Sequence, residues 1–264
     1  MRVSMSSAAA RVGRVNEDFT GAVPTAAVLV DGAGIPGSES TCRHGVAWYA
    51  GRLGGRLLGL LSLVRDRSLP TLLAEAIEQV TDDHRDTCDV ADPIAPSATV
   101  AVLRVTDGLI EYLVLGDSFL VLDRAGGGPL VVSDPREVTI SRSFLPALEA
   151  APKGSEEYHG VLRDLRANRN RAGGFWVAKN DPRAADEAVT GSCPAHGLTA
   201  AALLSNGAGR IVDRFGLTDW PGAMALLASS GPAEVVRRVR QAEALHAVAA
   251  DDATIAYCTG LGGS

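Results

Sequence analysis

The chain has 264 residues, enough for one large domain or two small ones, with a substantial buried core either way. Hydrophobic residues make up 46%, charged residues 21%, and the net charge is −6, so the balance gives no reason to expect a nucleic-acid or membrane-surface protein. The N-terminus shows no long apolar run before its first charges. The longest apolar stretch, around Leu57 to Val64, is too short to span a bilayer and is interrupted by Gly59 and Ser62. The expectation is a soluble cytoplasmic protein.

Thr25 to Val30 reads as a buried strand that ends at Asp31 and opens into the turn Gly32-Ala33-Gly34. A carboxylate at a strand end, followed by a glycine whose backbone approaches a ligand closely, suits a hard cation. In isolation Asp31 reads as a turn aspartate, so its neighbours must decide. The turn also matches G-x-G-x-x-G through Gly37. Pro36 breaks the helix that a dinucleotide site needs, however, and no second strand with an acidic end follows about 20 residues later.

Four cysteines, Cys42, Cys88, Cys193 and Cys258, lie far apart without C-x-x-C pairing, which argues against a structural zinc site and gives no disulfide framework. The five histidines (His44, His84, His159, His196, His246) show no metal-ligand spacing and read as surface or satisfied core residues.

His44 to Arg67 carries apolar residues at helical spacing, and Leu69 to His84 does so again, with Pro70 near the start, where it is tolerated. Strands follow at Ala98 to Val105, Leu109 to Leu115, Phe119 to Asp123 and Leu130 to Val132. The connectors Thr106-Asp107-Gly108 and Gly126-Gly127-Gly128-Pro129 predict antiparallel hairpins. The middle, Arg136 to Asn170, is less regular, with a helix over Glu156 to Ala172. Its arginines, Arg163, Arg166, Arg169 and Arg171, read as a solvated helix face or, as the lesser alternative, a contact for phosphorylated or acidic partner segments. Trp176 reads as core packing or a wall of the substrate cleft. Strands resume at Gly174 to Ala178 and Leu198 to Ser205. A helical stretch from Asp219 to Leu245 breaks near Ser229-Ser230-Gly231-Pro232, a last strand spans Thr254 to Cys258, and Gly260 to Ser264 reads as a loose tail. Without repeats or low-complexity linkers, a single domain over residues 1–264 is favoured. Hairpins with paired helices suggest an α+β fold of helices layered on packed antiparallel sheets.

Six short motifs occur in one order: Asn16-Glu17-Asp18, Val30-Asp31-Gly32-Ala33-Gly34, Ser97-Ala98-Thr99, Gly116-Asp117-Ser118, Leu204-Ser205-Asn206-Gly207 and Asp251-Asp252-Ala253-Thr254. Each is weak alone, but the ordered series resembles the metal-dependent serine/threonine phosphatases, the PPM or type 2C family, over nearly the whole chain. The resemblance implies a four-layer α/β/β/α sandwich, two antiparallel sheets flanked by helix pairs. It also implies two Mn2+ or Mg2+ ions, with a third, weaker site, and a phosphorylated protein as substrate. By resemblance, Asp31 bridges both metals, the Gly32 carbonyl binds one of them, and Asp251 binds the second. Glu17 and Asp18 act largely through water, and Asp117 belongs to the third site.

The chain departs from the family pattern at three positions. Asn206 stands where the family carries a metal-binding aspartate; an amide keeps a carbonyl oxygen but loses the charge. Ala33 stands where many eukaryotic members carry a histidine proposed as general acid. The phosphate-binding arginine maps onto Arg14, one residue closer to the N-E-D motif than is common, with Arg11 as the other candidate. Two readings follow: a phosphatase that uses metal-activated water, or a pseudophosphatase that keeps the fold as a binding module with a weakened metal site.

Overall fold

The structure is a computed structural model that describes residues 1–34 and 41–262. The Ile35, Pro36 and Gly37 positions of the dinucleotide-like match and the end of the C-terminal tail lie outside the described residues.

Two five-stranded antiparallel sheets face one another. One has the order β2-β3-β4-β5-β8 (Phe19–Val23, Ala26–Ala33, Ser97–Thr106, Leu109–Leu115, Val189–Pro194). The other has the order β1-β10-β9-β6-β7 (Arg2–Ala8, Ala253–Thr259, Leu198–Leu204, Phe119–Arg124, Leu130–Val132). Side-chain alternation along each strand sorts the apolar residues into layers. Along β3, Ala27 and Leu29 point between the sheets, where they meet Leu103, Leu120, Leu203 and Ala256. Ala26, Val28 and Val30 point the other way, onto helices α1 (Gly45–Leu63) and α2 (Leu69–His84). Val121, Ala202 and Ile255 of the second sheet likewise pack under α6 (Trp220–Ser230) and α7 (Pro232–Leu245). These three apolar contact zones join four layers, and the expected α/β/β/α sandwich is the observed architecture.

The two hairpins form as expected: β4 pairs with β5 across Asp107 and Gly108, both at positive φ, and β6 pairs with β7. β5 and β6 do not pair with each other. The chain crosses from one sheet to the other through Gly116-Asp117-Ser118, and this crossing brings Asp117 to the sandwich edge.

Several expectations need correction. β1, β2 and β8 carry no apolar run that announces them, and none of their residues is fully buried. Gly174 to Ala178 is not a strand; single bridges, Arg169 to Phe175 and Ala98 to Ala178, and the Asn170 side chain on Val177 tie it down. The irregular middle holds two helices, α3 (Arg136–Ala150) and α4 (Glu156–Arg166), with no buried residue in either. The tail is not wholly loose, since Leu261 packs into the inter-sheet core.

Candidate metal centre

The inter-sheet face of β3 runs Ala27, Leu29 and then Asp31, so one alternation delivers two apolar side chains to the core and a carboxyl group to its open end. Asp31 pairs in register with Thr99 of β4. Asn206, at the start of α5 (Asn206–Gly209), the single helical turn that follows β9, donates its backbone N–H to Asp31 Oδ2 (2.9 Å) and its Nδ2 to Asp117 Oδ2 (2.8 Å). Asp251 lies just before β10. Together with Arg14, Glu17, Gly32, Ala33, Gly34, Thr99 and Glu137, these residues line a cleft of about 230 Å3. Arg11 is not among the lining residues, so of the two candidate arginines it is Arg14 that reaches the cleft, 3.5 Å from Glu17 Oε2.

The motifs are joined by a framework of hydrogen bonds. Asp252 is buried and takes the backbone N–H groups of Ala10 (2.7 Å) and Glu17 (2.6 Å), which fastens the Asn16-Glu17-Asp18 segment to the start of β10. Ser205 Oγ accepts from Thr254 N (2.9 Å), Thr99 Oγ1 pairs with Ser118 Oγ (2.7 Å), and Ser97 Oγ donates to the Ala33 carbonyl (3.3 Å). The glycines allow close approach: a Cβ on Gly32 would sit 2.3 Å from the Glu17 carbonyl oxygen, and one on Gly207 1.9 Å from that of Asp252. Gly116 adds a left-handed φ of 79°.

The electrostatics are those of acids crowded away from water. Burial pushes the Asp31 carboxyl well above its ordinary range, and the charges of Asp18, Asp117 and Asp251 push it further. Asp18 rises to about 6, mainly through burial, with Asp252 adding to it. The Thr254 and Ser205 hydroxyls stand near enough to offset part of that cost. Even so, neither Asp18 oxygen has a hydrogen-bond partner of normal geometry, although both are buried. Burial also raises Asp117 to about 6 and Glu137 to about 7, the latter with help from Asp117. Asp251 is held by Arg210 (2.7 Å to Oδ2), which also grips buried Glu243 (2.8 Å).

All seven proposed metal positions, Glu17, Asp18, Asp31, Gly32, Asp117, Asn206 and Asp251, fall at or beside this cleft. Two further residues were not expected there. Glu137 comes from the first turn of α3. Arg169 is not on a solvated face: it is half-buried, lies over the Phe175 ring (5.9 Å), donates to Ser97 Oγ (3.3 Å) and feels the charges of Glu137 and Asp117. Neither stands in a motif that ends an apolar strand, so periodicity carried no signal for them. Trp176 is partly buried against the α1–α2 core and also lines a neighbouring cavity of about 500 Å3 beside Arg136 and Ile140.

A family model described as protein phosphatase 2C matches residues 7–168, more than half of the chain. The chain belongs to the protein phosphatase 2C family. Solved structures of bacterial phosphatases share the fold. The PPM Ser-Thr phosphatase MsPP from Mycobacterium smegmatis, solved with cacodylate, is 16% identical with a TM-score of 0.60, covering 98% of each chain. The catalytic domain of PstP, solved with two manganese ions, is 15% identical with a TM-score of 0.61, covering 98% of this chain and 97% of that one. Stp1 from Staphylococcus aureus is 13% identical with a TM-score of 0.61, covering 97% and 94%. A comparison with curated proteins finds no match. No described helix of this protein phosphatase 2C member is long and apolar enough to cross a membrane.

Proposed function

We propose that the cleft hydrolyses phosphoserine and phosphothreonine esters in proteins with the help of two Mn2+ or Mg2+ ions, and that a third, weaker ion binds near Asp117. The observation that carries this reading is Asp18, whose two buried carboxyl oxygens lack partners of normal geometry beside Asp31, itself crowded by Asp117 and Asp251 as well. Such an arrangement is costly for the protein alone and becomes favourable around cations. The donors are carboxylates, a backbone carbonyl and an amide, a set that suits magnesium and manganese rather than softer metals. Asp31, the Gly32 carbonyl, Asn206 and Asp251 would hold the two ions directly, and Glu17 and Asp18 largely through water. When bound, the ions activate water as the nucleophile and neutralise the phosphoryl oxygens.

The chain's own residues account for the rest. Arg14, at the mouth and tethered by Glu17, offers a planar guanidinium to the phosphate. Arg169 balances Asp117 and Glu137 from behind. Ala33 provides no acid for the leaving group. Neither cysteine, histidine nor serine lines the cleft among the described residues, and its one hydroxyl, Thr99, is engaged with Ser118. With metal-activated water as the nucleophile, a covalent phosphoenzyme is not expected.

Asn206 favours a second reading, a pseudophosphatase that binds phosphorylated segments without turnover. Its neutral amide donates to Asp117, so one carboxylate of the usual set is missing. Hydrolysis of p-nitrophenyl phosphate and of a phosphothreonine peptide, with titrated manganese, separates the two. The enzyme reading expects metal-dependent turnover that chelator abolishes and no trapped phosphoprotein after rapid quench. Peptide binding without turnover at any manganese concentration would establish the module instead.

A further inference from the structure

We propose that Cys42, His44 and Cys88 form a second metal site, of the zinc class, which ties the entry of α1 to the loop after α2. The cysteine spacing in sequence argued against such a site, but folding supplies the pairing that the spacing lacks. The two sulfurs and one imidazole nitrogen lie within 4.8 Å of one another, with Cys42 buried and the other two residues partly so. His44 Nδ1 is 3.8 Å from Cys42 Sγ and 3.3 Å from Cys88 Sγ. Zinc bonds of about 2.3 Å to sulfur and 2.0–2.1 Å to nitrogen, at a tetrahedral angle, separate such atoms by about 3.6 Å. The two observed distances bracket that value, so a zinc ion needs only small side-chain adjustments.

The surroundings suit the same chemistry. Backbone N–H groups of His44 and Gly45 face Cys42, and those of Arg43 and His44 face Cys88, the arrangement that supports metal-bound thiolates. The His44 ring stacks on Trp48 (4.4 Å between centroids, 24°) and meets His84 edge-on (6.2 Å), which holds Nδ1 toward the sulfurs. His84 is in turn fixed by its Nδ1 contact with the Val80 carbonyl (2.6 Å). The sulfur-rich donors select zinc over the magnesium or manganese of the carboxylate cleft. Binding replaces the two thiol protons with one divalent cation and releases both protons, while neutral His44 contributes its Nδ1 lone pair. Three protein donors leave a fourth tetrahedral position for water or an external ligand.

The test uses Co2+ as an optical probe on the reduced full-length protein in excess magnesium, which keeps the cleft occupied. One cobalt per chain should give a sulfur-to-cobalt charge-transfer band that one equivalent of zinc removes. The band should be lost in Cys42→Ser and in Cys88→Ser and kept in Asp31→Asn, which disables only the cleft. X-ray absorption at the zinc edge of the wild-type protein needs no variant and should show two sulfurs at about 2.3 Å and nitrogen at about 2.0–2.1 Å. The proposal is overturned by a reduced protein without the band, by a band that survives both cysteine substitutions, or by a zinc shell of oxygen and nitrogen alone. A Cys42–Cys88 disulfide in protein purified with zinc would overturn it equally.

Discussion

β3 contains two regions two residues apart that obey opposite rules. Leu29 is fully buried between the sheets among apolar neighbours, while Asp31, on the same face, is crowded by Asp18, Asp117 and Asp251. The first region gains stability from burial, and the second loses it in the absence of cations. The core thus holds in place a set of charges that would otherwise separate, the usual relation between a scaffold and a functional site.

Asp31→Asn should have the largest effect. Removing this carboxyl should lower phosphatase activity by about 10³-fold or more, since the charge that gathers the ions is lost. The same change should raise the melting temperature of metal-free protein, because a costly buried acid becomes neutral. A lowered melting temperature in chelator would show that Asp31 supports the fold rather than straining it. Leu29→Ala should do the reverse and cost about 2–5 kcal/mol in denaturant unfolding. Activity per folded molecule and manganese affinity should stay near wild type. A loss of manganese affinity in fully folded protein would mean that core and cleft are not separable.

Asn206→Asp sharpens the contrast by adding a charge to the acidic side. With manganese, the variant should bind metal about tenfold more tightly and turn over faster. Without metal, it should be less stable, because the Nδ2 donor to Asp117 is replaced by another acid. Unchanged affinity and rate would place Asn206 outside the metal site. Tighter binding without turnover would strengthen the pseudophosphatase reading.

The smallest effect is on pH dependence. Asp18 and Asp117 have folded values near 6, above their ordinary value of 3.8, so the metal-free native state binds more protons than the unfolded state between those limits. Their contribution to stability is therefore largest near pH 4 and is lost as pH rises toward 7. A drop of roughly 4 °C or more in melting temperature across that range in chelator is expected, and much of it should vanish when manganese is present. Metal-free stability that rises with pH from 4 to 7 would contradict the raised values.

How much of this could be read from the chain depended on periodicity. α2 was expected at Leu69 to His84 and occurs there, because its buried residues recur at helical spacing and Ser68 accepts from Thr71 N at its start. β1, β2 and β8 are half-exposed strands without an apolar run, all three at sheet edges, so periodicity carries no signal for them. Asp31, Asp117 and Asp251 were legible because each borders an apolar strand. Glu137, which lines the cleft, and Arg169, which stands beside it, were not, since they come from a helix pair and its following loop, where a charged residue looks like any solvated one. Cys42 and Cys88 likewise acquire meaning only when α1 and α2 pack side by side.

Calorimetric titration of manganese into metal-free wild-type protein and into Asp31→Asn tests the central claim most directly. The acid cluster is expected to take up at least two ions per wild-type chain, with proton release as the raised carboxyl groups ionise, and to lose this binding in the variant. A wild-type protein that takes up no manganese, or a variant that binds it equally well, would contradict it.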